Sequence, residues 1–235
     1  MSYSIIIPNF NSSSFITKKI NKLISFLKKT KINYEIIIVD DCSNDNSFIK
    51  IKELVNKNKK IRVIKNKINT GKSYSLIRGI SKSKYKKIIL IDSDLPYFYR
   101  LKNILDDLKI FDLVMIDRKH NVSKNLDTSF SYYQFFRVII GLLFNKIIRI
   151  FLSINYRDTQ AGLKGFIKPY NFSRINFVSK RFFFDVELIL FFLKKKKKIK
   201  TIPVNFRVSN NSTIKIFALK KNIEIIKELF KIIIK

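Results

Sequence analysis

The chain has 235 residues, 46% hydrophobic and 14% aromatic, which excludes a disordered polymer and leaves room for one large α/β domain rather than two. Its net charge of +31, from 48 Lys+Arg against 17 Asp+Glu, attracts polyanions of any kind: nucleic acid, an anionic membrane face or phosphorylated substrates. A coding bias toward lysine, isoleucine and asparagine accounts for such an excess equally well, so charge alone selects no partner.

Ile5 to Ile7 form a short apolar strand that ends at Pro8, with no charged leader before it. Ser12, Ser13 and Ser14 offer capping hydroxyls to a helix whose apolar residues, Ile16, Ile20, Leu23, Ile24 and Leu27, recur at helical spacing. Glu35 to Val39 is a second strand, apolar throughout as a strand covered on both faces is, and it ends at Asp40-Asp41. A helix is predicted from about Asp45 to Asn58, a strand over Arg62 to Ile64, a loop at Asn69-Thr70-Gly71-Lys72 and a helix over Ser73 to Ile80. Lys87 to Ile91 is the fourth strand and runs into Asp92-Ser93-Asp94. Asp112 to Ile116 reads as a fifth, ending near Asp117-Arg118.

The later half is less regular. The apolar run from Tyr132 to Ile154 is long enough to span a bilayer, but Arg137, Asn145, Lys146 and Arg149 interrupt it. It is read as a helix lying in the membrane interface, with a buried core helix as the alternative. Asp158 to Phe166, a helix over Asp185 to Leu193 and an extended stretch over Ile199 to Val208 follow. Ile214 to Lys235 is amphipathic and basic, and suits either a membrane surface or packing on the domain.

Alternation of strands and helices predicts a mostly parallel sheet flanked by helices, whose ligands bind beyond the carboxyl ends of the strands. Asp40-Asp41 and Asp92/Asp94 both fall there. Two carboxylates one residue apart in such a loop can reach one hard divalent cation, Mg²⁺ or Mn²⁺, of the kind that bridges a nucleotide diphosphate. Asp40 and Asp41 can accept hydrogen bonds from a ribose or base, or cap the next helix. Gly71-Lys72 offers backbone N–H groups and an ammonium to a phosphate. Cys42 is the single cysteine, which rules out an intramolecular disulfide and fits a reducing cytoplasm.

Ile5-Ile6-Ile7-Pro8-Asn9-Phe10-Asn11 resembles the "strand, Pro, x, Tyr, Asn" opening of family 2 glycosyltransferases. Ile37 to Ser43 is similar to their "VVDDGS" segment, with Cys42 in place of glycine. Asn69 to Lys72 is similar to their "N-x-G-K" loop, and Asp92 to Asp94 to their D-x-D. Asp158 to Phe166 resembles the "DTQCGFK" stretch of dolichyl-phosphate glucosyltransferases, Phe182 to Leu188 their "FDVEL", and Ile202 to Asn205 with Ser212 to Lys215 their "IPV-x-W…GSK" ending. The resemblance thus points to the polyprenyl-phosphate branch of that family.

What it implies is a GT-A (Rossmann-like) domain over residues 1–213. Residues 1–118 are its nucleotide-sugar half and 119–213 its acceptor half, which includes the interface helix 132–154; an amphipathic helix follows over 214–235. Pro8, Asn11, Asp40, Asp41, Gly71, Lys72, Asp92 and Ser93 would bind the nucleotide sugar, with Asp92 and Asp94 as metal ligands. Asp158, Asp94 and Arg118 would be catalytic, and Gln160, Arg207 and Lys215 would face the acceptor. The expected reaction is inverting transfer from a UDP- or GDP-linked sugar, UDP-glucose foremost with GDP-mannose and other UDP-sugars left open, to a polyprenyl phosphate at the cytoplasmic face of a membrane, by a peripheral protein. The acceptor is a phosphate monoester with a second pKa of about 6, so it is largely ionised at neutral pH and needs no strong base. Transfer to a glycan hydroxyl, which would want such a base, is the runner-up. A non-catalytic protein binding nucleic acid or membrane is the third reading, but it leaves Asp92 and Asp94 unexplained, so no nucleic-acid partner is expected.

Overall fold

The computed structural model describes residues 1–125, 139, 142, 145–181, 183–206 and 219–234. Seven strands form one sheet: β1 (Ser2–Asn9), β2 (Asn33–Asp40), β3 (Ile61–Lys65), β4 (Lys87–Ile91), β5 (Leu113–Asp117), β6 (Leu163–Ile167) and β7 (Ile199–Pro203), in the order β3-β2-β1-β4-β6-β5-β7. Parallel pairing joins β1 to β2 and β4, β2 to β3, and β5 to β7. Among the described strands only β6 runs against its neighbours, inserted between β4 and β5.

Successive side chains of the strands point to opposite faces, and each face has its own core. Ile5, Ile7, Ile36, Ile38 and Ile89 pack under α1 (Ile16–Lys29), α2 (Ser47–Lys57) and α4 (Leu101–Asp107). Ile6, Ile37, Val39, Ile88 and Leu90 pack under α3 (Lys72–Ser81) and α5 (Phe184–Lys194). The predicted apolar stripe of α1 is the buried one, Ile16, Ile20, Leu23, Ile24 and Leu27. Burial of each such side chain contributes about 1.5–3 kcal/mol, far more than helix propensity does, so the stripe decides where the helix lies.

The last helix, α6 (Leu219–Ile233), sends Leu229 and Ile232 into this second core. That face therefore packs on the domain, while Phe230 and Ile234 are exposed. Of the predicted helix 132–154, residues 145–151 are helical; most of the stretch before them lies outside the described residues. In the described part Ile148 is buried, whereas Ile139, Leu142, Ile147, Ile150 and Phe151 are exposed. Among the described residues no helix is long and apolar enough to cross a membrane.

The strand directions gather one rim. Register pairs Asn9 with Asp40 and Ile91 with Leu163, so the carboxyl ends of β1, β2 and β4 meet the entrance to the antiparallel β6. The carboxyl ends of β5 and β7, with Asp117 opposite Pro203, complete it.

Candidate active site

Three groups of side chains sit on this rim. The first holds the loops after β1 and β2 in place. Asp40 is fully buried and accepts hydrogen bonds from Asn9 Nδ2 at 2.8 Å, Ser43 Oγ at 2.6 Å and Ser43 N at 3.2 Å. Asp41 accepts from Asn66 Nδ2 at 2.7 Å, Thr70 N at 2.9 Å, Thr70 Oγ1 at 2.9 Å and Gly71 N at 2.8 Å. The two acids thus shape the Cys42–Ser43 turn and the Asn69–Gly71 loop. Asn11 N donates to Ser43 Oγ, and Asn11 Oδ1 accepts from Asn44 N, so Asn11 ties the loop after β1 to the turn after β2. Pro8 lies within β1 opposite Val39. Cys42, where the family pattern has glycine, adopts the left-handed conformation that glycine would (φ 59°). Phe10, not singled out from the sequence, is 43% exposed just past β1.

The second group is the acidic loop after β4. Lys72 Nζ pairs with Asp92 Oδ1 at 2.6 Å. Burial works against the Lys72 ammonium, but Asp92, Asp185 and Asp94 together hold its pKa above the ordinary lysine value. Asp94 is exposed, and partial desolvation with the neighbouring charge of Asp92 raises its pKa. Ser93 lies between them, partly buried. Gly162 is where the acceptor-side motif touches this loop. A Cβ there would collide with Asp92 Oδ2 and lie 3.0 Å from Pro96 Cγ, and Asp92 N donates to Gly162 O at 3.2 Å. Only glycine lets the D-x-D carboxylate settle so close to that strand entrance.

The expectation that the start of α3 presents free N–H groups to a phosphate is corrected. Ser73 N donates to Arg181 O at 3.2 Å and Tyr74 N to Lys180 O at 2.9 Å. Gly71 N is taken by Asp41, and Gly71 (φ 100°) leaves 3.0 Å between its missing Cβ and Arg181 Cα. The segment 180–181 caps this helix, so the ammonium of Lys72, rather than the helix terminus, faces the acidic loop.

The third group surrounds Asp158, which is 2% exposed. Arg118 grips it in a fork, Nε to Oδ2 at 2.6 Å and an Nη to Oδ1 at 2.8 Å, while Arg118 N donates to Oδ2 at 3.0 Å and Gln160 N to Oδ1 at 3.3 Å. Burial pushes this carboxyl up, but the hydrogen bonds and charge of Arg118 outweigh it and bring the pKa down to about 2. Asp158 therefore stays ionised and orients Arg118. Gln160 is exposed at the same turn. Tyr97, in a left-handed conformation (φ 56°), interacts electrostatically with Asp94 on one side and with Arg118 and Asp158 on the other, bridging the second and third groups. Lys119 has a pKa lowered by burial and, despite Asp158, by the adjoining charges of Arg118 and Arg149. Such crowding of cations marks a place that favours an anion.

Beneath the second and third groups lies Lys164, 1% exposed, whose Nζ meets Asp185 Oδ1 at 3.0 Å and Ala161 O at 2.7 Å. Asp185 is thus the partner of a buried lysine inside the first turn of α5, while Phe183 holds the capping position. His120 Nδ1 accepts from Val122 N within its own loop. Arg207 and Lys215 lie outside the described residues.

Asp92 and Asp94 supply hard oxygen donors, and among the described residues no third acid, histidine or cysteine joins them. Two carboxylates beside a phosphate-bearing ligand fit Mg²⁺ or Mn²⁺, which keep water and substrate oxygens in their coordination.

A mostly parallel sheet with one antiparallel strand before the acceptor-side helix, and paired acids at its carboxyl rim, is the architecture of GT-A glycosyltransferases. Residues 4–167 match the family model "Glycosyl transferase family 2", and the chain belongs to that family. Its relatives include a dolichyl-phosphate beta-glucosyltransferase of Dictyostelium discoideum, 28% identical, the match covering 97% of this chain and 73% of that one. The human dolichyl-phosphate beta-glucosyltransferase is 27% identical over 86% of this chain and 66% of its own. The chain thus spans about two thirds of the human relative's length. Among solved structures, glucosyl-3-phosphoglycerate synthase of Mycobacterium tuberculosis, in complex with Mn²⁺, UDP-glucose and phosphoglyceric acid, shares the fold with a TM-score of 0.65 at 17% identity, covering 98% of this chain and 79% of that one.

Proposed function

We propose that this protein transfers a glucosyl group from UDP-glucose to the phosphate of a polyprenyl phosphate, with inversion, at a membrane surface. The observation that carries the reading is the state of Asp158. The carboxylate on the acceptor side is buried, forked onto Arg118 and held at a pKa of about 2, so it is a poor proton acceptor at neutral pH. A hydroxyl acceptor would need a base there. A phosphate monoester, largely ionised already, needs cations and positioning. Arg118, with Lys119 and Arg149 close by, supplies the cations. The names of the two relatives support the same donor sugar and lipid acceptor.

In this reading an oxygen of the acceptor phosphate attacks C1 of the sugar as the bond from C1 to the UDP oxygen breaks, and no proton has to move. Lys72 meets the diphosphate, and Asp92 and Asp94 would hold a divalent cation that would offset the charge developing on the leaving group. Phe10 offers its face to the nucleotide base. The exposed apolar residues Ile147, Ile150 and Phe151, next to Lys146 and Arg149, form the side that meets the lipid. Asn145 of the same helical stretch donates to Thr159 Oγ1 at 3.2 Å, which ties that surface directly to the Asp158 motif. The single Cys42 supports a site on the cytoplasmic face.

The test is transfer itself. Protein, Mg²⁺ or Mn²⁺, polyprenyl phosphate in detergent and a panel of radiolabelled nucleotide sugars should give label in the organic phase from UDP-glucose, and none with Asp94→Ala. Label appearing only on added oligosaccharide would overturn the lipid reading in favour of a glycan hydroxyl.

A further inference from the structure

We infer that Glu228 of α6 is a positioning residue for the donor site, acting through residues 179–181 on the Gly71–Lys72 turn. The inference rests on the donor reading given above. The path is continuous. Glu228 Oε1 accepts from Lys180 N at 3.1 Å and Arg181 N at 3.0 Å, and Oε2 accepts from Ser179 Oγ at 3.0 Å. Glu187 of α5 accepts from Val178 N at 2.9 Å and Ser179 N at 2.8 Å. Two carboxylates from two helices thus gather four successive backbone N–H groups, which fixes the direction of the carbonyls between them. Lys180 O and Arg181 O then accept from Tyr74 N and Ser73 N, and Ser179 Oγ lies 3.3 Å from Ser73 Oγ. Arg181 Cα and Cγ each stand 3.0 Å from where a Cβ of Gly71 would be. The next residue is Lys72, paired with Asp92.

Each link has a physical consequence. A carboxylate that collects adjacent N–H groups makes a stiff turn, because charge-assisted hydrogen bonds are short and directional. A capped α3 does not fray, so its first residue, Lys72, keeps a fixed origin for its long side chain. Leu229 and Ile232 bury the neighbouring turns of α6 in the core, so Glu228 is anchored by packing independent of the site. Arg181 is further held by Glu224, Nε to Oε2 at 2.9 Å. The effect of α6 on catalysis is therefore to set the donor phosphates.

The test compares Glu228→Ala, Glu228→Gln and the unmodified chain by hydrogen exchange and by calorimetric binding of UDP with Mg²⁺. Glutamine keeps an oxygen for both backbone N–H groups and an amide that can donate to Ser179 Oγ, losing only the charge assistance, so E228Q should fall between E228A and the unmodified chain, nearer the latter. E228A should exchange faster in peptides covering 178–183 and 72–75, with β1 and β2 unchanged. It should bind UDP about tenfold more weakly, with the donor KM raised and the acceptor KM unchanged. If E228A does not fold, Glu228→Asp, too short to reach both groups, serves in its place with the same expectation. Unchanged exchange and unchanged UDP affinity in E228A overturn the inference, as does an equal loss in E228Q. If the unmodified chain binds no UDP, the donor reading falls, and the exchange in 72–75 alone decides whether the clamp exists.

Discussion

Replacing Asp158 with asparagine separates a base from a positioning group more sharply than any other change. The carboxylate accepts four hydrogen bonds, three from Arg118 and one from Gln160 N, and its side chain is almost completely enclosed. Its pKa is about 2 against 3.8 for a free aspartate, which corresponds to roughly 2 kcal/mol of native-state stability. Because the folded value is depressed, that stability is fully present above pH 3.8 and is lost as the pH falls through about 2. Asparagine has one acceptor oxygen and turns an amide toward the guanidinium, so D158N should cost about 2 kcal/mol near neutral pH, a fall of roughly 4–8 °C in melting temperature. In transfer assays kcat/KM for the lipid phosphate should drop by about two orders of magnitude, because Arg118 loses its alignment. The pH profile is decisive. If the acceptor is the group that titrates, the acid limb of kcat/KM lies at about pH 6 in the unmodified protein and stays there in D158N. An acid limb that disappears in D158N, with the unmodified enzyme following a carboxylate of raised pKa, would refute the positioning argument.

Gly162→Ala places a methyl group against Asp92 Oδ2 and Pro96. It should lower transfer about a hundredfold while the protein stays folded, and metal titration should show a weaker half-saturation. Lys72→Met leaves Asp92 without its cation, and the KM for UDP-glucose should rise at least tenfold with a smaller change in kcat. Asp185→Ala strands the buried ammonium of Lys164, and chemical denaturation should register a loss of about 3–5 kcal/mol. Ile150→Glu with Phe151→Glu, at positions 65% and 63% exposed, should abolish sedimentation with anionic vesicles and leave UDP affinity as it was.

Strands whose sequences carry an unbroken apolar run were legible from the chain alone: β1, β2, β4 and β5 fall where Ile, Leu and Val cluster, and the acids that follow them reach the rim as expected. β6 was not legible. Its sequence, Leu163-Lys164-Gly165-Phe166-Ile167, has a lysine and a glycine at its centre, which break the apolar run that marks the other strands, yet it is a central strand. The lysine is tolerated because Asp185, more than twenty positions away, and Ala161 O meet its ammonium. The glycine fits because Ile104 and Leu108 of the α4 region press onto it. No periodicity within five residues encodes such partners. For the same reason α4 went unread over Leu101–Asp107, where the buried residues are too few to show a helical stripe. The site followed the same division. Asp92 and Asp94 lie past the end of β4, where the strand pattern put them, and Asp158 was singled out by resemblance alone; Asp40 and Asp41 are occupied by their own loops, and the surroundings of Tyr97 and Lys119 include neighbours far off in sequence.

The electrostatics of the rim order these observations. Along it alternate acids and bases: Asp94 and Asp92, then Lys72, then Asp185 and Lys164, then Asp158 and Arg118. Charge is nearly neutralised pair by pair along the rim, so most of the chain's net charge of +31 is carried by residues away from it. Within the site each cation is already assigned an orientation by a carboxylate before any substrate arrives. Two anionic phosphates, one on the donor and one on the acceptor, repel each other, and a flexible lysine or arginine would lose entropy in bringing them together. A guanidinium forked onto a buried aspartate, and an ammonium fixed at the start of a capped helix, have given up that freedom on folding. The low pKa of Asp158, brought down by Arg118 against its burial, and the depressed pKa of Lys119, lowered first by burial and then by Arg118 and Arg149, mark one turn in which a guanidinium is fixed on folding with further cations beside it.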